Sequence, residues 1–153
     1  MGPRTIRVFL ADDHPLTRAG LRHYIAKEQN LELVGEASDV LEAWKIIERE
    51  KPDVALLDIR MPGENGVSLA RRIKGSSLPG VPVMLTSFDA QQYVMASLRA
   101  GARGYILKTV TPEELSRAIR GVARGRLYLY RKVARNSKDG ESALETLSCR
   151  ERA

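Results

Sequence analysis

Short, nearly unbroken apolar runs alternate along the chain with longer segments in which apolar residues recur every three or four positions. The runs are Ile6 to Ala11, Leu31 to Ala37, Val54 to Leu57, Val81 to Leu85 and Gly104 to Leu107. Runs this short, without a polar residue at every second place, predict strands buried on both faces, as inside a parallel sheet. The intervening segments predict helices. Leu16, Leu21 and Ile25 share a face up to about Glu28, and Val40, Trp44 and Ile47 mark a second helix. Leu69 and Ile73 lie one turn apart within 67–74, Gln91 to Arg99 forms a fourth helix, and Leu115, Ile119 and Val122 line a fifth up to about Arg124.

Punctuation agrees with the periodicity. Pro15 suits a first helical turn, and Asp39 with Glu42 makes a capping-box-like start. Thr111-Pro112-Glu113-Glu114 combines an N-cap, a first-turn proline and a capping-box glutamate, and Gly101 reads as a helix stop. Five strands alternating with five helices predict an α/β fold with a doubly wound parallel sheet.

Beyond Gly125 the pattern changes. Leu127-Tyr128-Leu129-Tyr130 is apolar, Arg131 to Lys138 is basic, and Asn136 to Gly140 is rich in turn formers. Residues 126–145 read as a linker, with Tyr128 and Tyr130 covering the end of the last helix. Charge supports that division. The chain of 153 residues carries 25 Lys+Arg against 19 Asp+Glu, a net +6, and residues 126–153 hold 7 of those basic and 4 of those acidic groups. A basic tail can meet nucleic acid, but without a recognised motif a solvated linker is the better reading. No apolar run approaches a membrane span and no signal-peptide pattern opens the chain. The single cysteine, Cys149, forms no internal disulfide, so a reducing compartment, the cytoplasm, is expected.

The chemistry gathers at the strand ends. The first strand delivers Asp12 and Asp13, the third Asp58, the fourth Thr86 and the fifth Lys108. In an open α/β sheet these positions share the carboxyl edge, where ligands bind. Three carboxylates in one pocket repel and would partly protonate unless a cation intervenes. Lys108 offsets part of that repulsion, and a hard divalent ion with oxygen ligands, Mg²⁺, offsets more. A carboxylate is a competent nucleophile toward phosphorus, and phosphoryl transfer needs the charge neutralisation that a metal, Lys108 and the Thr86 hydroxyl can supply.

The motifs Asp12-Asp13, Leu57-Asp58-Ile59-Arg60-Met61-Pro62 with Gly66, Leu85-Thr86-Ser87 and Gly104-Tyr105-Ile106-Leu107-Lys108 closely resemble the receiver domain of bacterial two-component response regulators. The resemblance runs from about residue 5 to residue 124. Ala11-Asp12-Asp13-His14-Pro15 together with Gly104 to Thr109 is most similar to the NarL/FixJ subfamily, whose output is a LuxR-type helix-turn-helix. It implies a flavodoxin-like receiver fold with a receiver domain over 1–125. Asp58 would accept a phosphoryl group from a sensor histidine kinase. Mg²⁺ would be held by Asp13, Asp58 and the main-chain carbonyl of Arg60, with Asp12 assisting through water. Thr86 and Lys108 would bind the phosphoryl oxygens, Tyr105 would be the aromatic switch, and phosphorylation would promote a homodimer. Many receivers carry proline after the lysine, where this chain has Thr109, so the Lys108–Thr109 bond is left as cis or trans. Thr146 to Arg152 is similar to the opening of the output domain, so residues 146–153 are expected to begin a domain that the chain is cut too short to form. DNA would be met only through that domain.

Other residues take plainer readings. His14 is expected near the N-cap of the first helix rather than as a ligand, His23 on a helix flank, Trp44 in the core and Cys149 in the linker. A haloacid-dehalogenase type of phosphohydrolase uses similar chemistry but needs a second aspartate two residues after the nucleophile. That position is Arg60, which has no proton to give at neutral pH. The chain is therefore not expected to be an enzyme. The remaining rival is a stand-alone receiver that signals by protein–protein contact.

Overall fold

The computed structural model describes residues 4–61, 65–87 and 91–129, with the side chains of 91 and 92 left aside. The expected linker beyond Leu129 and the output-domain start at 146–153 lie outside the described residues, as do Pro62, Cys149 and Tyr130.

The strands are β1 (Ile6–Ala11), β2 (Leu31–Ala37), β3 (Val54–Asp58), β4 (Val81–Thr86), β5 (Gly104–Leu107) and β6 (Tyr128–Leu129), and the helices are α1 (Pro15–Lys27), α2 (Val40–Glu50), α3 (Gly66–Lys74), α4 (Gln91–Arg99) and α5 (Pro112–Ala123). All pairings are parallel, in the order β2-β1-β3-β4-β5-β6. This is the doubly wound, flavodoxin-like topology with a short sixth strand added.

Why the strands lack alternation is now visible. Successive side chains point to opposite faces, and each face has its own core. Phe9, Ala11, Ala55, Leu57, Met84 and Tyr105 pack under α2, α3 and α4, with Ala43, Ile47, Leu69, Ile73 and Val94. Val8, Leu10, Val54, Leu56, Val83, Leu85 and Ile106 pack under α1 and α5, with Leu21, Ile25, Leu115, Ile119 and Val122. Pro82 sits in β4 without harm because its carbonyl already faces the β5 side, accepting from Arg103 N at 2.9 Å, where β5 has not yet begun.

The caps behave as expected. Asp39 accepts from Glu42 N at 2.8 Å and Thr111 from Glu114 N at 3.2 Å. Gly101 has φ +103 after α4, a left-handed conformation that suits glycine. No cis peptide bond occurs among the described residues, so Lys108–Thr109 is trans. No described helix is long and apolar enough to cross a membrane.

Three expectations change. Leu16 is 90% exposed, so only Leu21 and Ile25 anchor α1. Trp44 is half-buried at the margin of the core, with the Arg72 guanidinium 4.4 Å above its ring. Tyr128 and Leu129, placed in the linker, instead pair with Gly104 and Tyr105. Tyr128 packs toward the α1/α5 core and Leu129 toward the opposite one, which is what a strand, rather than a helix cover, requires.

Candidate functional site

The predicted residues converge because the strands deliver them one after another to the carboxyl edge. Asp12 N donates to Ala37 O at 3.0 Å, carrying the β1–β2 ladder one residue past the strand and fixing Asp12 where it is wholly buried. Asp58 is the last residue of β3, and Ile59 N donates to Leu85 O at 3.2 Å. Lys108 N donates to Thr86 O at 2.8 Å, which registers the lysine against the end of β4.

The loop after Asp58 is shaped by Gly66. Its N–H donates to Ile59 O at 2.8 Å, and a Cβ there would stand 2.1 Å from the main-chain oxygen of Asp58. No real Cβ comes that close, so the α3 N-terminus can tuck under the acidic residue only with glycine at 66. Asn65 then caps α3, accepting from Ser68 N at 2.9 Å.

Lys108 Nζ lies 2.9 Å from Asp58 Oδ2 and 2.9 Å from Asp12 Oδ2. The ammonium thus bridges two carboxylates on neighbouring strands. Asp58 Oδ1 accepts from Arg60 N at 3.3 Å, so the two oxygens of Asp58 have different partners. Asp12 Oδ2 touches the ammonium, but among the described residues no donor is aligned on it as a hydrogen bond, and buried Asp13 Oδ1 likewise has none. Burial pushes the Asp58 carboxyl above its usual range, with Lys108 pulling the other way and the Asp12 charge adding to the rise. Burial alone would lower Lys108, but its hydrogen bond to Asp58 and the negative charges of Asp58 and Asp12 outweigh it and hold the ammonium above its usual range.

Two predicted residues lie deeper. Thr86 ends β4 and is buried. Met84 pairs with Tyr105 and Thr86 with Leu107, so Thr86 and Tyr105 share the face covered by α4. Tyr105 is fully buried.

Two neighbours join the site, His14, which the sequence placed only at the N-cap, and Arg18, which it left unread. His14 is the N-cap residue of α1 but makes no cap bond with its side chain. Its ring turns instead into the acidic cluster, with Nδ1 3.1 Å from Asp13 Oδ1 and 3.2 Å from Asp12 Oδ1. Arg18, one helical turn later on the same face, donates to Asp12 O at 2.9 Å and to Glu36 Oε1 at 3.2 Å. The i, i+4 spacing of His14 and Arg18 was the available signal.

Ligand atoms of Asp12, Asp13, His14 and Asp58 all lie within 4.8 Å of one another. The buried, unaligned oxygens of Asp12 and Asp13 are what a cation site offers, and their hard donors fit Mg²⁺. Chemically, the pocket combines a buried carboxylate, an ammonium held between two acids and a cluster of hard oxygen donors.

The family model for the response regulator receiver domain matches residues 8–120. The chain is 45% identical over 126 residues to the uncharacterised transcriptional regulatory protein YxjL of Bacillus subtilis, covering 82% of this chain and 57% of that one. It is 38% identical to the DNA-binding transcriptional activator DevR/DosR of Mycobacterium tuberculosis, covering 84% of this chain and 59% of the relative. It thus spans somewhat over half the length of these curated relatives. The solved signal receiver domain of the response regulator NarL from Mycobacterium tuberculosis is 37% identical and superposes with a TM-score of 0.78, covering 81% of this chain and all of that one. Motifs, strand order and these likenesses coincide over the same residues, and the chain belongs to the family of response regulator receiver domains.

Proposed function

We propose that Asp58 accepts a phosphoryl group from the phosphohistidine of a sensor histidine kinase, and that this chain is the controlling part of a transcriptional regulator. The observation that carries this reading is the bridge of Lys108 between Asp58 and Asp12, 2.9 Å from each, with Asp13 beside them. An oxygen of Asp58 forms the new bond to phosphorus as the nitrogen–phosphorus bond of the donor breaks, and the electron pair leaves with the imidazole. Arg60 N and Lys108 orient the two carboxylate oxygens. Partial dehydration of the carboxylate leaves fewer waters to displace before attack. Lys108 then pairs with a phosphoryl oxygen, and the Thr86 hydroxyl donates to another. Asp13, Asp58 and the main-chain carbonyl of Arg60 would hold Mg²⁺, with Asp12 acting through water, and the ion would neutralise charge on the phosphoryl oxygens.

The signal leaves through β4 and β5. Phosphate on Asp58 draws Thr86 toward it, because a new acceptor bearing nearly two negative charges outcompetes water. Tyr105 lies on the same face and is already inside, so phosphorylation acts by holding the ring in rather than by turning it in. The arrangement favoured by phosphate promotes a homodimer and switches a LuxR-type DNA-binding domain that begins at about Thr146. That whole-protein role is supported by relatives of transcriptional-regulator type that are longer than this chain.

Incubation with acetyl phosphate and Mg²⁺ should add one phosphoryl group by intact mass, lost in Asp58→Asn and in excess chelator. Equal labelling of Asp58→Asn, or labelling indifferent to chelator, overturns the reading. Thr86→Ala should still label but give less dimer in sedimentation with beryllofluoride, and an undiminished dimer response removes the coupling.

A further inference from the structure

Asp12 is wholly buried, and each of its three oxygens has a neighbour of its own. Oδ1 accepts from His14 N at 2.8 Å, Oδ2 lies 2.9 Å from Lys108 Nζ, and the main-chain O accepts from Arg18 Nη1 at 2.9 Å. The last of these closes a gap in the backbone. Asp12 N makes the final ladder bond of its strand, to Ala37 O, so the peptide plane between Asp12 and Asp13 has left the sheet. Arg18, reaching in from α1, supplies the partner that the sheet no longer does. Turning that plane would swing Asp13 out of the acidic cluster and pull His14 N away from Asp12 Oδ1.

Arg18 is itself held. Its Nε donates to Glu36 Oε1 at 3.2 Å, across from α1 to β2, and the same glutamate accepts from Arg22 Nη1 at 2.9 and 3.1 Å. The side chains of Arg18 and Glu36 are only 23% and 26% exposed, so this pair is less open to water than the surface pairs that hold little. A planar guanidinium gripped on one side by a carboxylate and aimed with the other at a carbonyl makes a fixed strut. Arg22 is the comparison that the fold supplies. It shares Glu36 one helical turn on, but among the described residues its side-chain hydrogen bonds go to Glu36 alone.

We infer that Arg18 is a positioning residue for phosphoryl transfer to Asp58. By holding the Asp12–Asp13 peptide plane it keeps the Asp12 carboxylate on Lys108 and Asp13 turned into the pocket. Arg18 touches none of the reacting atoms, so it serves the chemical step and not the capture of the donor. The inference rests on reading Asp58 as the phosphoryl acceptor.

Labelling of the full chain by acetyl phosphate in saturating MgCl₂ tests this, since a small donor needs no docked protein. Arg18→Met should lower the rate at saturating donor by about ten-fold and leave the half-saturating donor concentration within about two-fold. Arg22→Met takes one cation from Glu36 but spares the carbonyl bond, and should label within about two-fold of the parent. Proton–nitrogen spectra recorded without ion or donor give a second readout. The Asp13 and His14 amides should shift in Arg18→Met and stay in place in Arg22→Met. If Arg18→Met does not fold, Glu36→Gln loosens the strut from its other end and should slow labelling by about three-fold. A parental rate in Arg18→Met or in Glu36→Gln, an equal loss in Arg22→Met, or unmoved Asp13 and His14 amides overturns the inference and leaves Asp58 standing as acceptor. A parent chain that takes no phosphoryl group removes both.

Discussion

The two edges of the sheet carry the same kinds of charge and treat them oppositely. At the amino edge, Asp53 accepts from Arg7 N at 2.9 Å and meets Arg4 Nη2 at 3.5 Å. Arg7 goes on to Glu50 at 3.2 Å, and Arg120 closes the edge on Gln29 O at 2.7 Å. Each acid there has its own cation or amide. At the carboxyl edge, Asp12 and Asp58 share one ammonium, and oxygens of Asp12 and Asp13 lack an aligned donor. The amino edge pairs its charges as folded, while the carboxyl edge gathers Asp12, Asp13 and Asp58 around the Lys108 ammonium. Where a protein leaves buried acids under-compensated, it stores affinity for a cation or an electrophile at the cost of stability.

The sharpest way to break this contrast is at Gly66. Gly66→Ala drives a methyl into the Asp58 carbonyl, so stability should fall by about 3 kcal/mol, and acetyl phosphate labelling should collapse because the loop carrying Arg60 is displaced. Urea denaturation and intact mass read both, and normal labelling would show that the loop's position is immaterial.

The next test compares the edges by sign. Asp53→Ala removes an acceptor from Arg7 N and should cost about 1–2 kcal/mol. Asp58→Asn, in chelator, should instead stabilise, since it removes a charge that burial disfavours while Asp12 keeps Lys108 paired. Destabilisation by both substitutions would erase the distinction.

The pH dependence of that gain sharpens it. A carboxyl raised in the folded state binds its proton more tightly there than when unfolded, so its favourable contribution is present below 3.8 and is lost as pH rises through the raised value. The stability advantage of Asp58→Asn over the parent should therefore be full at neutral pH and shrink on acidification. An advantage that stays constant down to pH 4 would mean that Asp58 titrates as it does in the unfolded chain.

The smallest effect is expected at neither edge. Arg72→Ala removes the cation over Trp44 and should cost about 0.5–1 kcal/mol without altering labelling.

The sequence announced this fold unevenly, for physical reasons. Strand runs, the Asp39 and Thr111 caps and the strand-end acids all follow from local rules, and the structure returns them at nearly the expected places. Leu16 was misplaced because helical spacing says which residues share a stripe, not where the partner surface ends. Trp44 sits at the margin for the same reason. β6 was hidden because two residues carry no periodicity, and only pairing with β5 makes them a strand. His14 was read by its backbone place alone, and its role as N-cap residue says nothing of where its side chain goes.

That short sixth strand bears on handling the protein. β5 carries Tyr105 and leads into Lys108, and among the described residues its outer rim of amides and carbonyls is covered by Tyr128 and Leu129. An uncovered strand rim is a template on which other chains can stack. A fragment trimmed at residue 125, where the helical pattern invites the cut, loses that selvedge. It should therefore self-associate at concentrations where a fragment reaching Leu129 stays monodisperse.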